Sequence, residues 1–366
     1  MSDLAAPHIL ALTAYEPGKP EDELRRELGL DDIVKLASNE NPYGPSPKAI
    51  EALRTADLQL ERYPDPRGYA LREALAAHHE VRPEQVCLGN GSNELIDLIC
   101  RVVASRGEHA VFGHPSFPCY RIGSVAQELR FTAVPLRDDL NWNVDDLLDA
   151  VTPDTKLVFV SNPNNPTGSY IARRELERLL HSLPERVLAV IDEAYVEYAD
   201  ARDFAPATDL RDMRERLAIL RTFSKAYALA ALRVGYLLGP RGLVFDLNRL
   251  RAPFNVGTLG QVAATAALGD QAHLRASVEA TLHDRRALVE ALEGAGLRVA
   301  PSQANFILVE VPKPGRAVYE DLLRHGVIVR AMGPPLQSWI RVTVGRPAEN
   351  ERFLQALVHV LREARV

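Results

Sequence analysis

Cysteine is scarce: Cys87, Cys100 and Cys119 are the only three in 366 residues. They are odd in number and show neither C-x-x-C spacing nor nearby paired histidines, which argues against a disulfide framework and a thiolate metal site. A reducing, cytoplasmic setting is the expectation. Lysine is nearly as rare. Lys19, Lys35, Lys48, Lys156, Lys225 and Lys313 stand among 43 Lys plus Arg, so an amine nucleophile has few candidates. No stretch approaches the roughly 20 uninterrupted apolar residues of a membrane helix. The opening residues mix Asp3, His8, Glu16 and Lys19 with prolines, unlike a signal peptide. Basic runs are absent as well. With 49 Asp plus Glu the formal charge is -6, dispersed along the chain, so neither nucleic acid nor membrane is an expected partner.

What is present is ordinary for a folded chain: 46% hydrophobic and 25% charged residues, enough for one large core and a satellite. From about residue 85 to 240, β-branched runs alternate with stretches of helical period. The runs are Ala110–Phe112, Phe131–Val134, Leu157–Val160, Val187–Ile191, Leu217–Leu220 and Val234–Leu238. This pattern predicts α/β units around a mostly parallel sheet. Helices are expected over Pro45–Arg54 and Gly68–His79, with the proline-rich Arg62–Pro66 segment extended between them. A long helical pattern runs from Leu259 to Leu292. Alternating segments at Phe306–Val311 and Ile340–Val344, with helices around Val318–His325 and Glu349–Ala364, point to a smaller α+β unit. The division expected is 1–30 as a packing segment, 31–258 as a large α/β/α domain and 259–366 as a small domain.

Several strand candidates end in polar clusters, where ligands of open α/β sheets bind. Thr222-Phe223-Ser224-Lys225 follows one such run, with Arg233 eight residues on. A lysine there can be desolvated enough to act as a neutral amine, although most lysines are solvated. Ile191-Asp192-Glu193-Ala194-Tyr195 delivers a carboxylate and then a phenol. Capping is the commoner use of such an Asp; the alternative is a carboxylate that keeps a pyridine nitrogen protonated. Asn162 to Gly168 forms a proline-fixed turn, with Asn165 able to present its amide. Gly89-Asn90-Gly91-Ser92-Asn93 precedes a helical stretch, so the N–H groups of Ser92 and Asn93 would face a phosphate. It is neither a Walker loop nor G-x-G-x-x-G. Together these pieces describe a pyridoxal 5′-phosphate (PLP) site.

At this point the sequence resembles the fold type I, PLP-dependent aminotransferases of class I/II, and among them the histidinol-phosphate branch. The resemblance rests on Tyr15-Glu16-Pro17-Gly18-Lys19-Pro20, on Lys35-Leu36-Ala37-Ser38-Asn39-Glu40-Asn41-Pro42 and on Ile340-Arg341-Val342-Thr343-Val344-Gly345. It implies Lys225 as the residue that carries the cofactor, Asp192 as partner of the ring nitrogen, and Tyr195 and Asn165 as donors to the ring oxygen. Ser92, Asn93, Ser224 and Arg233 would hold the cofactor phosphate, Phe117 would stack on the ring, and Tyr63 would reach the phosphate of a neighbouring subunit. A homodimer with shared active sites follows. Tyr15, Asn39, Arg330 and Arg341 would contact substrate, with Arg341 on a carboxylate, where a planar fork suits Arg.

The implied reaction interconverts L-histidinol phosphate plus 2-oxoglutarate with imidazole-acetol phosphate plus L-glutamate. An aromatic amino-acid aminotransferase and a decarboxylase of a phosphorylated amino acid are the alternatives. Three features depart from the family pattern: Ala228 and Ala231 replace usual glycines, Phe117 replaces a usual Tyr, and Met332–Leu336 is proline-rich. Ala is tolerable for Gly only where φ is negative.

Overall fold

The computed structural model describes residues 4–14, 18–59 and 61–363. A short strand, β1 (Val34–Lys35), precedes the central sheet. That sheet contains β2 (Val86–Asn90), β3 (His109–His114), β4 (Arg130–Pro135), β5 (Thr155–Ser161), β6 (Leu188–Asp192), β7 (Leu217–Thr222) and β8 (Val234–Leu238). Their spatial order is β2-β8-β7-β6-β5-β3-β4. Every pair is parallel except those made by β8, which runs antiparallel to β2 and β7. Asn90, Ser161, Asp192 and Thr222 therefore end their strands at one edge of the sheet, where β8 begins beside Arg233.

Successive residues of the middle strands enter opposite cores. Val158, Val160, Ala189, Ile191 and Ile219 pack on one side, and Leu157, Phe159, Leu188, Val190 and Leu220 on the other. A strand buried on both faces reads as a continuous apolar run, which is why these elements are visible without alternation. Each fully buried Val, Ile or Leu contributes roughly 1.5–3 kcal/mol, so the sheet is a rigid base for the loops at its edge.

The remaining strands are β9 (Val299–Ala300), β10 (Phe306–Glu310), β11 (Val327–Ile328), β12 (Arg330–Ala331) and β13 (Trp339–Thr343). They build a four-stranded antiparallel sheet, β12-β13-β10-β9, while β11 pairs in parallel with β1. Its own core includes Leu36, Ile307, Val318, Ile340 and Phe353.

Helical limits follow local chemistry. Pro47–Thr55 starts with Pro at the first helical position, and Ser46 Oγ accepts the Lys48 N–H. The long pattern from Leu259 is two helices, Thr258–Leu268 and Gln271–Gly294. Gly269 and Asp270 separate them, and the Asp270 carboxylate accepts from Ser46 Oγ and pairs with Lys48. That tie to a distant segment is invisible to periodicity. β2 was also hidden, because its Gly89 and Asn90 read as loop residues. Among the described residues, no helix is long and apolar enough to cross a membrane.

Candidate active site

A cavity of about 250 Å³ opens at the carboxyl edge of the large sheet, between it and the small sheet. It is lined by Ser92, Asn93, Phe117, Asn165, Asp192, Tyr195, Ser224, Lys225, Arg233, Asn39, Arg330 and Arg341. Twelve residues singled out from sequence thus converge. Tyr63 does not line it: the ring is 81% exposed and stacks on Phe254, centroids 4.5 Å apart. Tyr15 lies outside the described residues, three positions before the cavity-lining Gly18.

Lys225 lies three residues beyond the end of β7. Its Nζ donates to the Ser38 carbonyl at 3.0 Å and lies 5.7 Å from the centre of the Tyr195 ring. Burial, and then the charge of Arg341, bring its pKa down to about 7. A substantial fraction of this amine is neutral near neutrality, as a nucleophile requires.

Asp192 ends β6 and is 3% exposed. Its Oδ2 accepts from Tyr120 Oη at 2.8 Å and its Oδ1 from the Ala194 N–H at 3.2 Å. Burial pushes the carboxyl up to about 6. A buried carboxylate with two neutral donors has room for a cationic partner from a ligand.

Tyr195 Oη accepts from Asn39 Nδ2 at 2.9 Å. Asn39 in turn gives its N–H to Thr343 Oγ1 and takes that hydroxyl on Oδ1. Its side chain is therefore committed to positioning Tyr195 and tying β13 to the large sheet. Arg341, on β13, donates to Asn165 Oδ1 at 2.6 Å and to the Ala37 carbonyl at 2.8 Å. This orients the Asn165 amide so that Nδ2 is left for a ligand. The neighbouring Asn164 is the structural member of the turn, bonded to Ser116, Pro115 and Thr167.

The helix Gly91–Val103 begins at the cavity with Ser92 and Asn93 in its first turn. Arg233 Nη1 donates to Ser224 Oγ at 3.3 Å. Two glycines make this cradle possible. Gly91 has φ of +73°, and a Cβ there would lie 2.6 Å from Arg233 Nη2. A Cβ on Gly235 would lie 2.5 Å from the Ser92 nitrogen. Neither clash is visible in sequence, since each involves segments distant along the chain. Helix-terminal N–H groups, two hydroxyls and a guanidinium form an anion site. With the amine of Lys225 and the carboxylate of Asp192, the donor set fits a phosphorylated pyridine aldehyde.

Backbone strain gathers here too. Asn39, Ala228 and Arg233 all adopt positive φ, at 55°, 56° and 53°. The condition for Ala228 is therefore not met: it occupies the left-handed region, at a cost of roughly 1–2 kcal/mol.

Fold and site together define a cofactor-dependent group transferase, and the comparison with known families agrees. The chain belongs to the aminotransferase class I and II family, whose model matches residues 31–357. It is 45% identical to histidinol-phosphate aminotransferase 2 of Pseudomonas aeruginosa, covering 99% of both chains. It is 44% identical to histidinol-phosphate aminotransferase of Akkermansia muciniphila, again over 99% of each. The crystal structure of histidinol-phosphate aminotransferase from Sinorhizobium meliloti in complex with pyridoxal-5′-phosphate superposes with a TM-score of 0.91. That protein is 31% identical, with 100% of this chain and 99% of that one covered.

Proposed function

We propose that this chain is a PLP-dependent transaminase that exchanges the amino group between L-histidinol phosphate and 2-oxoglutarate, in histidine biosynthesis. The observation that carries the reading is the convergence in one cavity of the Lys225 amine, the buried Asp192 carboxylate and the Ser92–Asn93–Arg233 anion cradle. The full-length similarity to histidinol-phosphate aminotransferases supports the substrate assignment.

Pyridoxal phosphate, when bound, supplies an electron sink that stabilises negative charge on the α-carbon of an amino substrate. Asp192 meets the ring nitrogen and keeps it protonated. Tyr195 and Asn165 Nδ2 would donate to the ring oxygen, and Phe117 would cover one face of the ring. Ser92, Asn93, Ser224 and Arg233 hold the phosphate. Lys225 Nζ would hold the cofactor at rest and, once displaced by the amino substrate, would carry the proton from the substrate α-carbon to the cofactor's C4′ as general acid/base. Arg341 receives the carboxylate of glutamate or 2-oxoglutarate, and Arg330, with Tyr15, the distal phosphate of the other substrate. Tyr63, exposed and stacked on the partly exposed Phe254, supports a homodimer in which it reaches the partner's site. Three free cysteines support a cytoplasmic location. Lys225→Ala is expected to abolish turnover in purified, PLP-loaded protein, and wild-type activity in that variant would sink the assignment.

A further inference from the structure

Tyr120, three residues beyond Phe117, makes the shorter of the two hydrogen bonds to the Asp192 carboxylate, 2.8 Å against 3.2 Å for the Ala194 N–H. The ring is fully buried and stacked on Phe159, with centroids 5.0 Å apart and planes 13° from parallel. Phe117 meets it edge-on at 5.8 Å and Phe112 packs at 6.3 Å. These contacts leave the ring no room to swing, so the hydroxyl has a fixed position. The same short stretch of chain thus supplies both Phe117 and Tyr120.

We infer that Tyr120 is a positioning residue, holding the Asp192 carboxylate in the one orientation that meets the cofactor's ring nitrogen. The inference rests on the cofactor reading given above. A phenol suits the task because it satisfies one carboxylate oxygen without neutralising the charge; an arginine there would compete with the protonated ring. Burial and the adjacent carboxylate keep the Tyr120 proton in place, so it remains the donor. The other groups around Asp192 do not substitute for it. Glu193 is bound to Arg221 and the Ala207 N–H, the Cys119 thiol stays protonated through burial, and Lys225 is engaged with Ser38.

The test is Tyr120→Phe, which keeps the ring and its stacking. Cofactor affinity is read by titrating cofactor-free protein with PLP and following fluorescence quenching, and steady-state kinetics are read at saturating PLP. Loss of a hydrogen bond to a charged group predicts about a tenfold or greater rise in the PLP dissociation constant and a comparable fall in kcat, with KM for the amino donor within about twofold. Added to Asp192→Asn, the same change should have little further effect on PLP affinity. A folded Tyr120→Phe protein with PLP affinity and kcat both within about twofold of wild type overturns the inference while leaving the cofactor reading intact. A wild-type protein that binds no PLP overturns both. Should Tyr120→Phe not fold, 3-fluorotyrosine at position 120 of the full chain reports instead. Its fluorine resonance should move on PLP binding to the wild type and move less in Asp192→Asn; equal or absent movement overturns the inference.

Discussion

The depressed pKa of Lys225 has a thermodynamic counterpart that can be measured without substrate or cofactor. The group falls from 10.5 to about 7 through burial and the charge of Arg341. Charging this amine in the native protein is therefore harder than in the unfolded chain. At 1.36 kcal/mol per tenfold in protonation, the full drop is on the order of 5 kcal/mol. The penalty is complete below pH 7, where the native amine must be charged, and fades as pH rises from 7 to 10.5, where the native amine is neutral and the unfolded one is releasing its proton. Lys225→Met removes the charge while filling the space. In urea unfolding of the cofactor-free proteins, the variant should gain on the order of 5 kcal/mol relative to wild type at pH 6.5, shrinking to about a third of that by pH 9.5. A difference that does not change with pH, or grows as pH rises, would refute the claim that Lys225 is held near neutrality by its surroundings.

Three further outcomes are expected. Gly235→Ala should destabilise the protein by roughly 1–3 kcal/mol and weaken PLP binding, because the added methyl would sit 2.5 Å from the Ser92 nitrogen and displace the start of the helix; thermal melts and cofactor titration check this, and unchanged values would count against the cradle. Ala228→Gly should raise stability by about 0.5–1 kcal/mol, since φ of 56° costs Ala more than the extra unfolded-state freedom costs Gly; a destabilised variant would contradict the strain argument. If the proposed homodimer shares its sites, mixing equal amounts of Tyr63→Ala and Lys225→Ala proteins, after dissociation and reassociation, should raise activity above that of either variant alone, toward about a quarter of wild type, because half the dimers would be hybrids with one intact site of two; no recovery would place Tyr63 outside any shared site.

Much of the architecture is legible in the sequence because the middle strands are buried on both faces and their polar termini stand out against apolar runs. Lys225, Asp192 and Tyr195 could be found that way, each lying at or just past a strand end. Other features depend on contacts between distant segments. Asn39 is committed to Tyr195 and Thr343, 156 and 304 residues away, and no local pattern reports such a tie. The division of labour between Asn164 and Asn165 is set by Ser116 and Arg341, so the turn motif alone cannot say which amide faces the cavity. Gly91 and Gly235 look like unremarkable glycines until the space around them is measured. Tyr120 had a weak signal, since it lies three residues beyond Phe117, but only the fold brings it to Asp192.

The most direct test of the central claim is the visible absorption spectrum of the purified protein loaded with PLP, recorded before and after adding L-histidinol phosphate, L-glutamate or L-phenylalanine in turn. The expected result is a visible band from the lysine-bound cofactor that disappears with histidinol phosphate and with glutamate at far lower concentrations than with phenylalanine. Equal or better conversion by phenylalanine would contradict the substrate assignment, and no visible band on adding PLP would contradict the cofactor site itself.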